Sequence, residues 1–329
     1  MSRTLSISIR NLALVTSALA GIAACQDQGP VQPLSPSNVE AAGPSMVKNK
    51  PTLYFNGILF TGQQDAASGE IYSMNPDGSG VFRLTQDDST DLYPDVSPKG
   101  PSFTWIRRAN GSLLSEIYTQ NLDGTKRKRL TSMGTSVTYP RYSPDGSKIA
   151  FAATVPGVGP EIFVMNADGS GIVRLTTSGR KATAPSWSPD GSQIAFQAND
   201  NSGSPGVWVM TASGGNQTLI TACAWPGCTH PKWSPVANEI AVDHVDFSGI
   251  MVVDATTGAQ TAYIPGSDHD GMPTWSKDGT KIIFASQRSQ NGGLDLYSTV
   301  PLRGGVTAPP PVDRLTAFAG NEMTPAYSR

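Results

Sequence analysis

From about residue 52 onward, short apolar segments recur, each bounded by Gly, Pro, Asn or Asp. One set is an apolar alternation: Ile58-Leu-Phe60, Phe103-Thr-Trp105, Ile149-Ala-Phe151, Ile194-Ala-Phe196, Ile240-Ala-Val242 and Ile282-Ile-Phe284. A second set follows each of these: Ile71-Tyr-Ser-Met74, Ile117-Tyr-Thr-Gln120, Ile162-Phe-Val-Met165, Val207-Trp-Val-Met210, Ile250-Met-Val-Val253 and Leu296-Tyr-Ser298. A third set closes each group: Arg83-Leu-Thr85, Arg129-Leu-Thr131, Arg174-Leu-Thr176, Thr218-Leu-Ile220, Ala262-Tyr-Ile264 and Arg314-Leu-Thr316. Segments this short, rich in β-branched and aromatic residues and punctuated by turn formers, predict strands. No window sustains a helical period.

Each group opens on a Pro-x-Trp/Tyr-Ser piece. The clearest copies are Pro140-Arg-Tyr-Ser143, Pro185-Ser-Trp-Ser188, Pro231-Lys-Trp-Ser234 and Pro273-Thr-Trp-Ser276, with Pro94-Asp-Val-Ser97 as a weaker one. The prolines at 94, 140, 185, 231, 273 and 325 lie 46, 45, 46, 42 and 52 residues apart. Four strands in about 45 residues is the length of a β-propeller blade. In Ser143-Pro-Asp-Gly146 the proline presets φ and the glycine accepts positive φ, which closes a hairpin between the first two strands. Asn75-Pro-Asp-Gly78, Asn121-Leu-Asp-Gly124 and Asn166-Ala-Asp-Gly169 do the same between the third and fourth. None of these clusters completes the ligand spacing and distal Glu of an EF-hand, so they read as turns.

There are six second, six third and six fourth strands, but the opening group lacks its first piece. Pro325-Ala-Tyr-Ser328, at the far end of the chain, supplies it. The expectation is therefore an all-β, six-bladed propeller of four-stranded blades whose last strand pairs beside Leu53–Gly62, with Tyr54 and Phe55 as competitors for that innermost place. Closure of this kind removes open sheet edges. The consensus Pro-x-Trp-Ser-Pro-Asp-Gly-x-x-Ile-Ala-Phe, followed by Ile-Tyr-x-Met-Asn-x-Asp-Gly and Arg-Leu-Thr, resembles the TolB-type propeller repeat over essentially all of residues 52–329. That resemblance implies an exported propeller of the kind found in the Tol–Pal envelope system. TolB also carries a separate N-terminal α/β domain, where this chain has only a tether.

The N-terminal region reads as an address. Arg3 and Arg10 form a positive stretch, and Leu12 to Ile22 is apolar but too short to span a bilayer. It ends in Ile22-Ala-Ala-Cys25, which resembles the lipobox of bacterial lipoproteins. The resemblance implies cleavage before Cys25 and diacylglycerol on its thiol. The expected organisation is a signal peptide over 1–24, a tether with lipidated Cys25 over 25–50, and the propeller over 51–329. Pro, Ser, Gln and Ala dominate residues 26–49, too polar a mixture to bury a core. Gln26 lacks the Asp that marks inner-membrane retention in enterobacterial lipoproteins, a hint of the outer membrane. With Cys25 assigned to lipid, Cys223 and Cys228 remain, in an oxidising compartment. They read as a loop-pinning disulfide or as free thiols, the first favoured.

The 329 residues carry a formal charge of −2, which offers no basic footprint for nucleic acid. No Gly-x-Ser-x-Gly elbow and no Gly-rich phosphate loop occurs. The second-to-third connections are long and varied, and they share one face of the expected ring; the short Pro-Asp-Gly turns share the other. Variable loops on a rigid scaffold are the usual binding surface. The residues three before each proline are Asp91, Val137, Ala182, Cys228, Asp270 and Glu322, and they are expected to ring the channel mouth. Asp91, Asp270 and Glu322, joined by Asp268, His269, His230 and Trp225, form the expected site for a basic peptide, an ammonium group or a metal ion. That the carboxylates cap turns or hydrogen-bond the next blade is the competing reading. His230, His244 and His269 raise metal binding as a further alternative. Trp187, Trp233, Trp275, Tyr142 and Tyr327 hold one repeat position and read as inter-blade packing. The function expected is a non-catalytic, monomeric, lipid-anchored scaffold for a protein or peptide, without cofactor. The alternative is a metal-dependent envelope enzyme such as a polysaccharide lyase.

Overall fold

The computed structural model describes residues 56–63, 68–222, 227–244, 249–266, 269–289, 293–304, 311–317 and 320–328. Cys25, Tyr54, Phe55, Cys223, Trp225 and Asp268 lie outside them. Six antiparallel sheets follow one another along the chain. In the third blade, Val137–Tyr142 is innermost, then Lys148–Val155, Gly159–Asn166 and the short outer Val173–Arg174. The first blade takes its innermost strand from Glu322–Tyr327, which pairs with Ile58–Gly62 as the repeat count required.

The second strand of each blade has both faces covered, because a blade is sandwiched between its neighbours. Alternation then sends successive residues to different seams. Ile149 and Phe151 pack with Ile106 and Ile117 of the second blade. Ala150 and Ala152 pack with Trp187 and Ile194 of the fourth. The small Ala in Ile-Ala-Phe makes room for the next blade's indole. Six apolar clusters result, one for each seam of the ring. Trp187 and Trp275 also donate Nε1–H to the Arg141 and Lys232 carbonyls of the preceding blades, at 3.1 and 3.0 Å.

Turn glycines add to the seams. Gly169 has φ 93° and lies so close to the second blade's outer strand that a Cβ would sit 2.7 Å from the Leu130 carbonyl oxygen. Only glycine accepts both that conformation and that approach.

The fifth blade departs from four strands. Leu302–Arg303, from the long connection between the third and fourth strands of the sixth blade, pairs with its outer strand Gln260–Pro265. Arg303 clasps Glu239 through two contacts of 2.7 and 2.8 Å. This strap accounts for the 52-residue final spacing.

Candidate functional site

The channel is shaped by an irregularity that every blade repeats. Each innermost strand slips register at its Pro, and the residue just before that Pro has positive φ: Tyr93, Tyr139, Ala184, His230, Met272 and Thr324, between 46° and 56°. Non-glycine residues seldom adopt this conformation, and a bulge re-aims the side chain that carries it. Five of the six, from five different blades, line one small space of about 20 Å³, so they meet on the ring axis. Tyr93 packs against Tyr139 with ring centroids 4.1 Å apart and the planes tilted by 35°. The space that the five enclose has the room of about one water molecule.

His230 lines this space. Its Nδ1–H donates to Asp243 at 3.0 Å, and its Nε2 meets the Tyr139 hydroxyl at 3.1 Å. Buried Asp243 also accepts from Thr229 Oγ1 at 2.9 Å and from the Met272 amide at 3.0 Å. Burial pulls the His230 pKa down, but the charge and hydrogen bond of Asp243 outweigh it and the net shift is upward. Burial pushes the Tyr139 hydroxyl well above its ordinary range. Toward the short-turn face, Asp95 is approached by Arg141 at 3.9 Å and Lys232 at 3.8 Å.

The channel widens at the short-turn end into a cavity of about 240 Å³, walled by the indoles of Trp187, Trp233 and Trp275 and by turn prolines such as Pro189 and Pro235. Its aromatic walls are the inter-blade packing residues seen from one edge. At the long-loop end, Leu113, Leu114 and Val158 stand out at 86%, 50% and 39% exposure on the loops of adjacent blades.

The expected acidic mouth is not open to solvent. Asp91, Asp270 and Glu322, like Val137, Ala182 and Cys228 at the same position, are buried. The bulge turns the residue one before the proline to the axis and leaves the residue three before it at the inner ladder, its side chain between blades. Asp91 is gripped by Arg107, Nε at 2.9 Å and Nη2 at 2.8 Å; burial is the larger influence and its pKa rises to about 6. Asp270 is gripped by Arg288 in the same two-armed way. His269 is exposed on a residue of positive φ, apart from the His230 relay. Cys228 is disulfide-bonded; Cys223, its expected partner, falls outside the described residues. Among the described residues, no three His, Cys, Asp or Glu side chains converge on a metal position.

One network went unread in the sequence. The acid just before the third strand's apolar run reaches the Thr of Arg-Leu-Thr: Glu70 to Thr85 at 2.6 Å, and likewise Glu116 to Thr131 and Glu161 to Thr176. Each Thr hydroxyl in turn accepts the amide of the following Ile, as in Ile71 N–H to Thr85 Oγ1 at 2.9 Å. The two blades with Gly206 and Gly249 at the acid position also lack Arg-Leu-Thr. That pairing within the chain is the signal that would have exposed it.

A ring of six blades, tied at its ends and narrowed on its axis, is a closed β-propeller. The chain belongs to the TolB β-propeller domain family, whose model matches residues 53–328. Its fold is similar to the crystal structure of TolB from Acinetobacter baumannii, with a TM-score of 0.65 at 19% identity over 83% of this chain. The match spans 66% of that longer protein. The putative TolB from Agrobacterium tumefaciens matches with a TM-score of 0.56 at 21% identity, covering 68% of this chain and 83% of that one. Oligogalacturonate lyase in complex with manganese aligns with a TM-score of 0.50 at 14% identity, over 75% of this chain and 86% of that one. No curated protein sequence matches significantly.

Proposed function

We propose that this chain is a lipid-anchored, non-catalytic scaffold of the bacterial envelope that binds a protein or peptide partner through its long-loop face. The observation that carries the reading is the exposure of Leu113 and Leu114, consecutive leucines at a loop tip, beside the blade that presents Val158. Apolar side chains held out on a rigid ring mark contact surfaces. Asp268, His269 and Trp225 remain candidate contacts for the same partner, while Asp91, Asp270 and Glu322 act from beneath the face by holding its base. Membership of the TolB propeller family supports the envelope setting.

Pull-down from cross-linked envelope extracts tests the surface. Leu113→Ser with Leu114→Ser should cut recovery of the wild-type partner by at least about tenfold, as for hot-spot residues, with the melting temperature unchanged. Equal recovery would remove this face from the reading. The anchor is tested separately by Cys25→Ser, which should move the protein from the membrane fraction to the soluble one; continued sedimentation with membranes would refute lipidation.

A further inference from the structure

Three seams of the ring place an acid at the position three before the proline, and their charge balance differs. At the first-to-second seam, Glu70 and Asp91 are matched by Arg83 and Arg107. At the fifth-to-sixth seam, Gly249 takes the acid position of the preceding blade, and Asp270 is matched by Arg288. At the closing seam, between the sixth and first blades, Asp295 and Glu322 have only Arg314 between them among the described residues, and it bonds Asp295 Oδ2 at 2.7 Å. The residue opposite Glu322 in the ladder is Gly62, where Asp91 has Arg107.

The shortfall is visible atom by atom. Glu322 is 0% and Asp295 1% exposed. Among the described residues, neither Glu322 Oε1 nor Oε2 has a hydrogen-bond partner, and Asp295 Oδ1 has none either. Asp295 is one methylene shorter than Glu70, Glu116 and Glu161. It does not reach Thr316 as those glutamates reach their threonines, and the Glu322 carboxyl comes in beside Thr316 and Asp295 instead. Three buried carboxyl oxygens without a hydrogen-bond partner among the described residues are costly to leave unmatched.

We propose that the closing seam is a cation site, in which Glu322 and Asp295, with the Thr316 hydroxyl, hold one hard divalent ion in the place that Arg107 and Arg288 occupy in the sister seams. Carboxylate and hydroxyl oxygens suit Ca²⁺, which accepts flexible geometry and completes its shell with water or backbone carbonyls. A bare ion fits the burial, since a partner's basic side chain would have to open the seam to enter. The ion would tie the last strand to the sixth blade and act on ring closure, independently of any partner on the long-loop face.

The test is thermal unfolding and equilibrium dialysis of the full chain, first stripped with chelator, with CaCl₂ as the probe and MgCl₂ and MnCl₂ in parallel. Wild type should bind one Ca²⁺ per chain and gain roughly 2–5 °C in Tm at millimolar ion. Glu322→Gln, which keeps the shape and removes the charge, should lose both the ion and the gain. Asp295→Asn is the independent variant if Glu322→Gln fails to fold. No Tm gain with any of the three ions, or one ion still bound by the folded variants, overturns the proposal.

Discussion

Truncation after residue 319 is expected to abolish cooperative folding. The deleted segment contains Glu322–Tyr327, the innermost strand of the first blade. Without it, Ile58–Gly62 loses its inner ladder, the 2.9 Å bond between Thr61 and Thr324, and the pair linking Gly57 and Ser328 at 3.0 and 3.2 Å. Each hydrogen bond is worth only about 1 kcal/mol net. The larger loss is apolar: the strand covers one side of Ile58 and Phe60, which are wholly buried in the seam with Leu296 and Leu315. Exposing both at roughly 2–3 kcal/mol per large side chain, with the ladder, matches a typical domain stability of about 5–15 kcal/mol. Circular dichroism on heating should show no sigmoidal transition. A cooperative melt within a few degrees of wild type would show that the ring holds without its last strand.

Trp187→Ala costs about 3–5 kcal/mol, the range for emptying a large buried aromatic site. The indole fills the space over Ala150 and Ala152 and donates to the Arg141 carbonyl, so its removal opens a void and orphans an acceptor in one stroke. Trp187→Phe should cost less, because most of the volume returns. Urea denaturation reads both, with the midpoint falling and the slope unchanged. A loss below about 1 kcal/mol for Trp187→Ala would mean that the seam collapses around the gap.

The blade count was legible because the second, third and fourth strands each occur six times and the one missing first strand sits at the other end of the chain. Seam packing was legible for a similar reason. Trp187, Trp233 and Trp275 share one repeat position, Ala150, Ala195 and Ala241 share another, and repetition at one position is a packing signal. Of the channel lining, only His230, the residue just before Pro231, was legible. Counting residues back from the proline assumes an unbroken ladder, and the positive φ at Tyr93, Tyr139 and His230 breaks it. The ion balance of the seams was not legible, for it depends on contacts between residues such as Asp295 and Glu322 that only ring closure brings together. The strap at Leu302–Arg303 was hidden because two residues are too few for a pattern.

The ring is narrowed on its axis where Tyr139 and His230 meet. Among the described residues, the side chains of Tyr139, Ala184, His230, Met272 and Thr324 stand in the way of a guest entering along the axis. The two faces of the ring are therefore distinct surfaces, one built of the variable loops and the other of turn prolines and the edges of the indoles.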